Sequence, residues 1–203
     1  MAEIERPQTY LITPPDIELS HFPTELAKVL DAHAVACVRI ALASQDETHL
    51  GHACDLLRDI CHARDVAIVV DTHLGLVERH GLDGVHLGDG SRSVRNARKQ
   101  LGADAIVGAY CGASRHDGIT AGEIGCDYVS FGPVSATGLG DGTVAPHDLF
   151  AWWSEMVEVP VVAEGKIDRE GAAKLAQVTD FFAIGDEIWR LESPAEALSD
   201  LIG

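Results

Sequence analysis

The sequence predicts an α/β chain closed into one (β/α)8 barrel. Three observations carry this reading: eight short apolar runs at fairly even spacing, helical periodicity between them, and a length that suits eight units. Runs that are nearly continuously apolar suit strands buried on both faces of a parallel sheet. Dividing 203 residues by eight leaves about 25 per unit, tight but sufficient for a barrel with short loops. The alternative is an open doubly wound sheet, which would want GxGxxG after its first strand. The first run instead ends Leu11-Ile12-Thr13-Pro14-Pro15, with no glycine.

The elements follow in order. Strands are predicted over 10–13, 35–40, 66–70, 84–87, 105–109, 127–132, 159–163 and 180–184. In the stretch 24–33, Leu26, Val29 and Leu30 share one helical face. In 46–63, Leu50, Cys54, Leu57 and Cys61 follow 4-3-4 spacing, and in 168–177 Ala172, Leu175 and Ala176 fall together. No internal repeat, low-complexity tract or composition shift divides the chain, so residues 1–203 read as a single domain.

Composition narrows the function classes. Hydrophobic residues make up 46% against 23% charged, which excludes disorder. The net charge of −17 repels phosphate backbones and anionic lipid heads, so neither nucleic acid nor membrane is an expected partner. Cys37, Cys54, Cys61, Cys111 and Cys126 form no CxxC pair and read as free thiols of a reducing compartment. The sequence begins with neither an apolar signal core nor a basic transit segment, so a cytoplasmic location is expected. A small phosphorylated metabolite is the expected partner, and homo-oligomerisation is left open.

In a barrel the chemistry clusters at the C-terminal strand ends. Those ends carry Thr13, Arg39, Asp71, His86 to Asp89, Tyr110, Pro133, Glu164-Gly165-Lys166 and Gly185-Asp186. The loops after strands seven and eight commonly hold a phosphate against backbone amides. Gly165 and Gly185 would allow that approach and Lys166 would add charge; equally, these glycines only turn the chain tightly into helices. The adjacent Glu164, Asp186 and Glu187 are expected to point away from the pocket. Gly138-Leu139-Gly140-Asp141-Gly142 reads either as a phosphate cradle or mobile lid, or as a flexible connector. No HxH, HExxH or Ser-His-Asp order is present.

Taken together, four segments resemble the thiamine-phosphate synthase/TenI superfamily: Tyr10-Leu11-Ile12-Thr13, Asp83-Gly84-Val85-His86-Leu87-Gly88, Cys126 to Val134 with Thr137, and Val159-Pro160-Val161-Val162-Ala163-Glu164-Gly165. Their order and spacing match from residue 10 to about residue 190. The resemblance implies a (β/α)8 TIM barrel. It also implies coupling of hydroxymethylpyrimidine diphosphate to thiazole phosphate, with Mg2+ and release of pyrophosphate by a dissociative course. It assigns Arg39 and Thr137 to catalysis and Asp71 to the metal, with Asp89 two residues from the second metal position as its substitute; the strand-end positions add His86, Tyr110, Gly165, Lys166 and Gly185 as ligand-binding residues.

Several positions depart from the family pattern. Of its Gln-x-Arg-x-Lys only Arg39 remains, within Cys37-Val38-Arg39-Ile40-Ala41. Its Asn-Asp pair is Val70-Asp71, its second metal aspartate falls on Ser91 with Asp89 nearby, and its serine after strand five is Tyr110. The Thr-Lys after Thr137 falls on Leu139 and Gly140, and the paired glycines after strand seven are Gly165-Lys166. Each lost charge-assisted contact to phosphate costs about 1.5–3 kcal/mol. The expectation is therefore a synthase-like protein with a strongly altered site and slow turnover; the alternative is an inactive or repurposed barrel that binds a small phosphorylated ligand. Pro133 stands where the tautomerase branch has histidine, which argues against that activity.

Overall fold

The computed structural model describes residues 6–136 and 142–203. Eight parallel strands close into a barrel in sequence order: β1 (Gln8–Ile12), β2 (Val35–Ile40), β3 (Ala67–Asp71), β4 (Gly84–Leu87), β5 (Ile106–Tyr110), β6 (Tyr128–Phe131), β7 (Val161–Glu164) and β8 (Phe181–Ile184). The helices that wrap it are α1 (Phe22–Ala32), α2 (Glu47–His62), α3 (Leu74–His80), α4 (Val94–Leu101), α5 (Arg115–Ile124), α6 (His147–Met156), α7 (Arg169–Leu175), the short α8 (Asp186–Trp189) and α9 (Pro194–Ile202). β1 pairs with both β2 and β8, so the expected closed barrel is what forms.

Local chemistry starts and stops the elements. Asp46 caps α2 by accepting from the N–H groups of Thr48 and His49; Ser114 caps α5 through Asp117 N–H and Asp168 caps α7 through Gly171 N–H. Strand side chains alternate between two cores. The outward set, such as Val38, Ile68, Val85, Val129 and Phe131, packs under the helices; Phe131 meets Phe150 and Trp153 of α6 edge-on. The inward set includes Tyr10, Cys37, Val69, Tyr128, Val162 and Ala183.

Three aspartates lock neighbouring strands at the N-terminal end of the barrel. Asp83, Asp127 and Asp180 each precede an even-numbered strand, and each accepts from an N–H of the preceding odd strand: Ile68, Val107 and Val161, all at 2.7 Å. Asp127 also pairs with Arg98, and Asp83 lies 3.0 Å from His62 Nε2. This repetition of one device is a structural periodicity that the sequence reading missed. Among the described residues, no helix is long and apolar enough to cross a membrane.

Candidate active site

Strand alternation stacks the barrel interior in layers of four. Near the C-terminal end, the even strands supply Arg39, His86, Ser130 and Ala183, and above them the odd strands supply Ile12, Asp71, Tyr110 and Glu164. The pairings Asp71 with His86, Tyr110 with Ser130 and Glu164 with Ala183 set these layers against each other. Arg39, Asp71, His86 and Tyr110, which the sequence places at strand ends, are thus brought to one mouth.

Arg39 is the centre of that mouth and is only 6% exposed. Its Nη1 donates to Glu164 Oε2 at 3.1 Å and its Nη2 to Glu164 Oε1 at 3.4 Å, a bidentate clasp. Its Nε lies 3.3 Å from Asp71 Oδ1. That contact is an ion pair by distance but lacks hydrogen-bond alignment, since both atoms are buried and make no hydrogen bond among the described residues. Burial pushes the Asp71 carboxyl up to about 6; Arg39 opposes the rise and Glu164 adds to it. Two carboxylates therefore flank the guanidinium. Glu164 corrects the expectation that it points away: Val162 and Glu164 share the inward parity of β7, while Val161 and Ala163 pack beneath the helices.

Below Arg39 a buried polar chain runs across the barrel. Tyr10 Oη and Tyr128 Oη lie 2.8 Å apart, and Tyr128 Oη lies 2.9 Å from His86 Nδ1. Burial, with Arg39 adding to it, lowers the His86 pKa well below the usual imidazole value, so the ring is neutral at pH 7. The chain needs Gly108: a Cβ there would stand 2.0 Å from Tyr128 Cζ. Ser130 Oγ, on a residue with no exposed surface, makes no hydrogen bond among the described residues. The five cysteines are all buried free thiols; burial pushes Cys61, Cys111 and Cys126 up to about 12, so none is a ready nucleophile.

The rim is held by the chain itself. Tyr110 Oη donates to the Gly132 carbonyl at 2.7 Å. Gly165 adopts φ 85°, and a Cβ there would meet Pro133 at 2.9 Å. Lys166 is exposed, with φ 60°, and its Nζ donates to the Ala136 carbonyl at 3.0 Å. Asp89 is exposed and accepts from Ser93 Oγ at 2.7 Å. Asp186 faces out toward Arg190, as expected. Glu187 does not: its Oε2 accepts from Gly185 N–H at 2.8 Å and its Oε1 from Ile167 N–H at 3.2 Å. Thr137 lies outside the described residues. The residues that sequence reasoning missed are Glu164, Ser130, Tyr128 with Tyr10, and Glu187; strand parity could have found the first two.

The comparisons with known proteins agree with this architecture. The pattern of the thiamine monophosphate synthase family matches residues 9–187. A thiamine-phosphate synthase of Rhodospirillum centenum is 43% identical over 194 residues, 94% of each chain. One of Erythrobacter litoralis is 39% identical, covering 93% of this chain and 92% of its own. The solved thiamine phosphate pyrophosphorylase from Pyrococcus furiosus superposes with a TM-score of 0.81 at 25% identity, covering 96% of this chain and 93% of its own. With the closed barrel and the motif positions around its mouth in place, the chain belongs to the thiamine monophosphate synthase family.

Proposed function

We propose that this protein acts in thiamine biosynthesis, in the cytoplasm, as a synthase-type barrel with a rebuilt diphosphate site. The reaction would join hydroxymethylpyrimidine diphosphate to thiazole phosphate and release pyrophosphate, at a rate well below that of a relative carrying the full set of cationic residues. One observation carries the altered-site reading: the guanidinium of Arg39 is already neutralised by Glu164 and Asp71. A departing diphosphate needs cations preorganised around it, and here it would have to compete with two carboxylates of the protein. What favours retained chemistry is that, among the described residues, no cysteine is a ready nucleophile to trap a cationic intermediate, together with the relatives' names.

The carboxylates fit a Mg2+ ion only in part. Mg2+ is held through one or two carboxylates plus substrate phosphates. Asp71, with an oxygen that makes no hydrogen bond, and Asp89 would supply those two; among the described residues no cluster of three ligating side chains forms. A bound ion would neutralise the leaving group. The residues of the chain would do the rest: Tyr110 and His86 shape the pocket wall, and Arg39 would contact the diphosphate by exchanging one carboxylate partner for it.

A second reading, a barrel that binds its ligand without turnover, is favoured by the same clasp on Arg39. Both readings are separated by incubating purified protein with the two substrates and Mg2+. Synthase-type turnover is expected below about 0.1 per second; a rate of about 0.1–1 per second or faster refutes the altered-site reading. A ligand at 100 times its dissociation constant adds roughly 2.7 kcal/mol of stability, so binding without product formation identifies the second reading.

A further inference from the structure

His86 is neutral at pH 7 and stands at the floor of the mouth, in the strand layer of Arg39. One of its ring nitrogens carries a proton and the other a lone pair, and the buried chain beneath it decides which. Tyr10, Tyr128 and His86 are all buried, so each hydroxyl hydrogen needs an acceptor within the protein. If Tyr10 Oη donates to Tyr128 Oη, and Tyr128 Oη donates to His86 Nδ1, every hydrogen has one, and the ring proton sits on Nε2. In the opposite direction Nδ1 carries the proton, and the Tyr10 hydrogen ends on the Cys37 thiol, a weak acceptor. If both neighbours donate to Tyr128, its own hydrogen has no acceptor among the described residues. The first direction is therefore the stable one. Nε2 is also the ring nitrogen that meets open space: it makes no hydrogen bond among the described residues, yet it is not a fully buried atom. The cavity of about 180 Å3 at the N-terminal end of the barrel is lined by Tyr10, Cys37 and Tyr128 but not by His86, which leaves the mouth.

We propose that Tyr128 is a positioning residue: by donating to Nδ1 it keeps the His86 lone pair buried and presents Nε2–H to the mouth, so that the histidine binds the pyrimidine diphosphate without being alkylated by it. This role rests on the synthase-type reaction proposed above and adds how that site protects itself. The methylene carbon of the pyrimidine diphosphate is an electrophile, because a diphosphate departs from it. Neutral imidazole is a nucleophile at whichever nitrogen holds the lone pair. A lone pair at Nε2 would face that carbon and trap it before the thiazole nitrogen does. Tyr128 holds it on the side away from the mouth instead. What remains at Nε2 is a neutral hydrogen-bond donor, suited to an acceptor atom of the bound substrate. Gly108 serves the same end, since a Cβ there would stand 2.0 Å from Tyr128 Cζ and push the hydroxyl out of place.

Nitrogen NMR of the histidine-labelled wild type, assigned through ring–backbone couplings, should show the His86 proton on Nε2; a proton on Nδ1 overturns the proposal. Tyr128→Phe frees the proton to distribute over both nitrogens and should move both ring signals toward their average. Tyr10→Phe removes an equally buried hydroxyl but leaves Tyr128 donating, and should leave the tautomer in place. A tautomer that shifts in both variants, or in neither, overturns the positioning role. If Tyr128→Phe does not fold, the wild-type and Tyr10→Phe spectra decide alone. Mass spectrometry after incubation with hydroxymethylpyrimidine diphosphate and Mg2+, without thiazole phosphate, reads the protection directly. Tyr128→Phe should gain the mass of one pyrimidinylmethyl group on His86, and wild type and Tyr10→Phe should not. In that adduct the carbon–oxygen bond to the diphosphate breaks with its electron pair, the Nε2 lone pair forms the new carbon–nitrogen bond, and the Nδ1 proton goes to solvent. An adduct on wild-type His86 overturns the protective role, as does its absence from a Tyr128→Phe protein that binds the pyrimidine diphosphate in calorimetry. Failure of the pyrimidine diphosphate to bind wild type overturns the synthase-type reading and the protective role with it, whatever the tautomer.

Discussion

Replacing Arg39 by methionine isolates the energetics of the mouth. The substitution keeps an apolar stem but leaves two carboxylates facing each other. Arg39 is 6% exposed, and the side chains of its partners Glu164 and Asp71 are 14% and 37% exposed. Removing one member of a buried pair costs about 3–5 kcal/mol. Solvent screens the Asp71 side, so the lower end, about 3 kcal/mol at pH 8, is expected. For a chain of this size each kcal/mol moves the melting temperature by about 2–4 °C, giving a drop of about 6–12 °C. The loss should depend on pH with a definite sign. Asp71 already titrates up at about 6 because it is buried, and it loses its lowering neighbour in the variant. A carboxyl whose pKa is raised by folding costs stability that is absent at low pH and grows as pH rises through the folded value. Each further unit of rise adds about 1.4 kcal/mol at pH 8 and little at pH 5. Urea unfolding followed by the fluorescence of Trp152, Trp153 and Trp189 at both pH values measures this, with wild type alongside. An equal loss at pH 5 and pH 8, or a loss below about 1 kcal/mol at pH 8, would refute the clasp as an energetic unit.

Tyr128→Phe removes the hydroxyl between Tyr10 and His86 and strands two buried polar groups; about 2–4 kcal/mol of destabilisation is expected in thermal melts, and a loss under about 1 kcal/mol would contradict the buried chain. Asp127→Ala leaves the Val107 N–H without its acceptor and Arg98 without its carboxylate; about 1–3 kcal/mol should be lost, and little change would show that water replaces the carboxylate at that strand end. Calorimetry of Mg2+ into protein free of ligand should show weak binding, because two carboxylates alone make an incomplete shell; tight binding would mean that further ligands converge.

The barrel was legible because both strand faces are buried, which writes strands as continuous apolar runs. Their ends were less so. The run 127–132 reads as one strand, but β6 is Tyr128–Phe131: Asp127 turns its carboxylate to Val107 N–H, and Gly132 N–H leaves for the Gly112 carbonyl. Strand position alone puts Arg39, Asp71, His86 and Tyr110 near the C-terminal strand ends, where the structure has them. Glu164 was not, although parity fixes it, since a charged residue inside a barrel is implausible until its partner is known, and that partner lies across the mouth on β2. Glu187 was beyond sequence reasoning in a stronger sense. Its position makes it an ordinary first-turn acid of α8, and only the pairing of β7 with β8 brings Ile167 N–H to its other oxygen.

Glu164 and Glu187 nonetheless follow one physical logic. A mouth built to meet phosphates presents buried donors, and buried donors without acceptors are costly. Here the guanidinium of Arg39 is met by Glu164, and the amides of Ile167 and Gly185 are met by Glu187. The carboxylates meet these donors with no ligand bound, while Arg39 Nε, Asp71 Oδ1 and Ser130 Oγ make no hydrogen bond among the described residues. If the rebuilt-site proposal holds, lower anion affinity and a stable barrel are two consequences of the same carboxylates. Restoring affinity for phosphate should require removing carboxylates, and adding lysines alone should not achieve it.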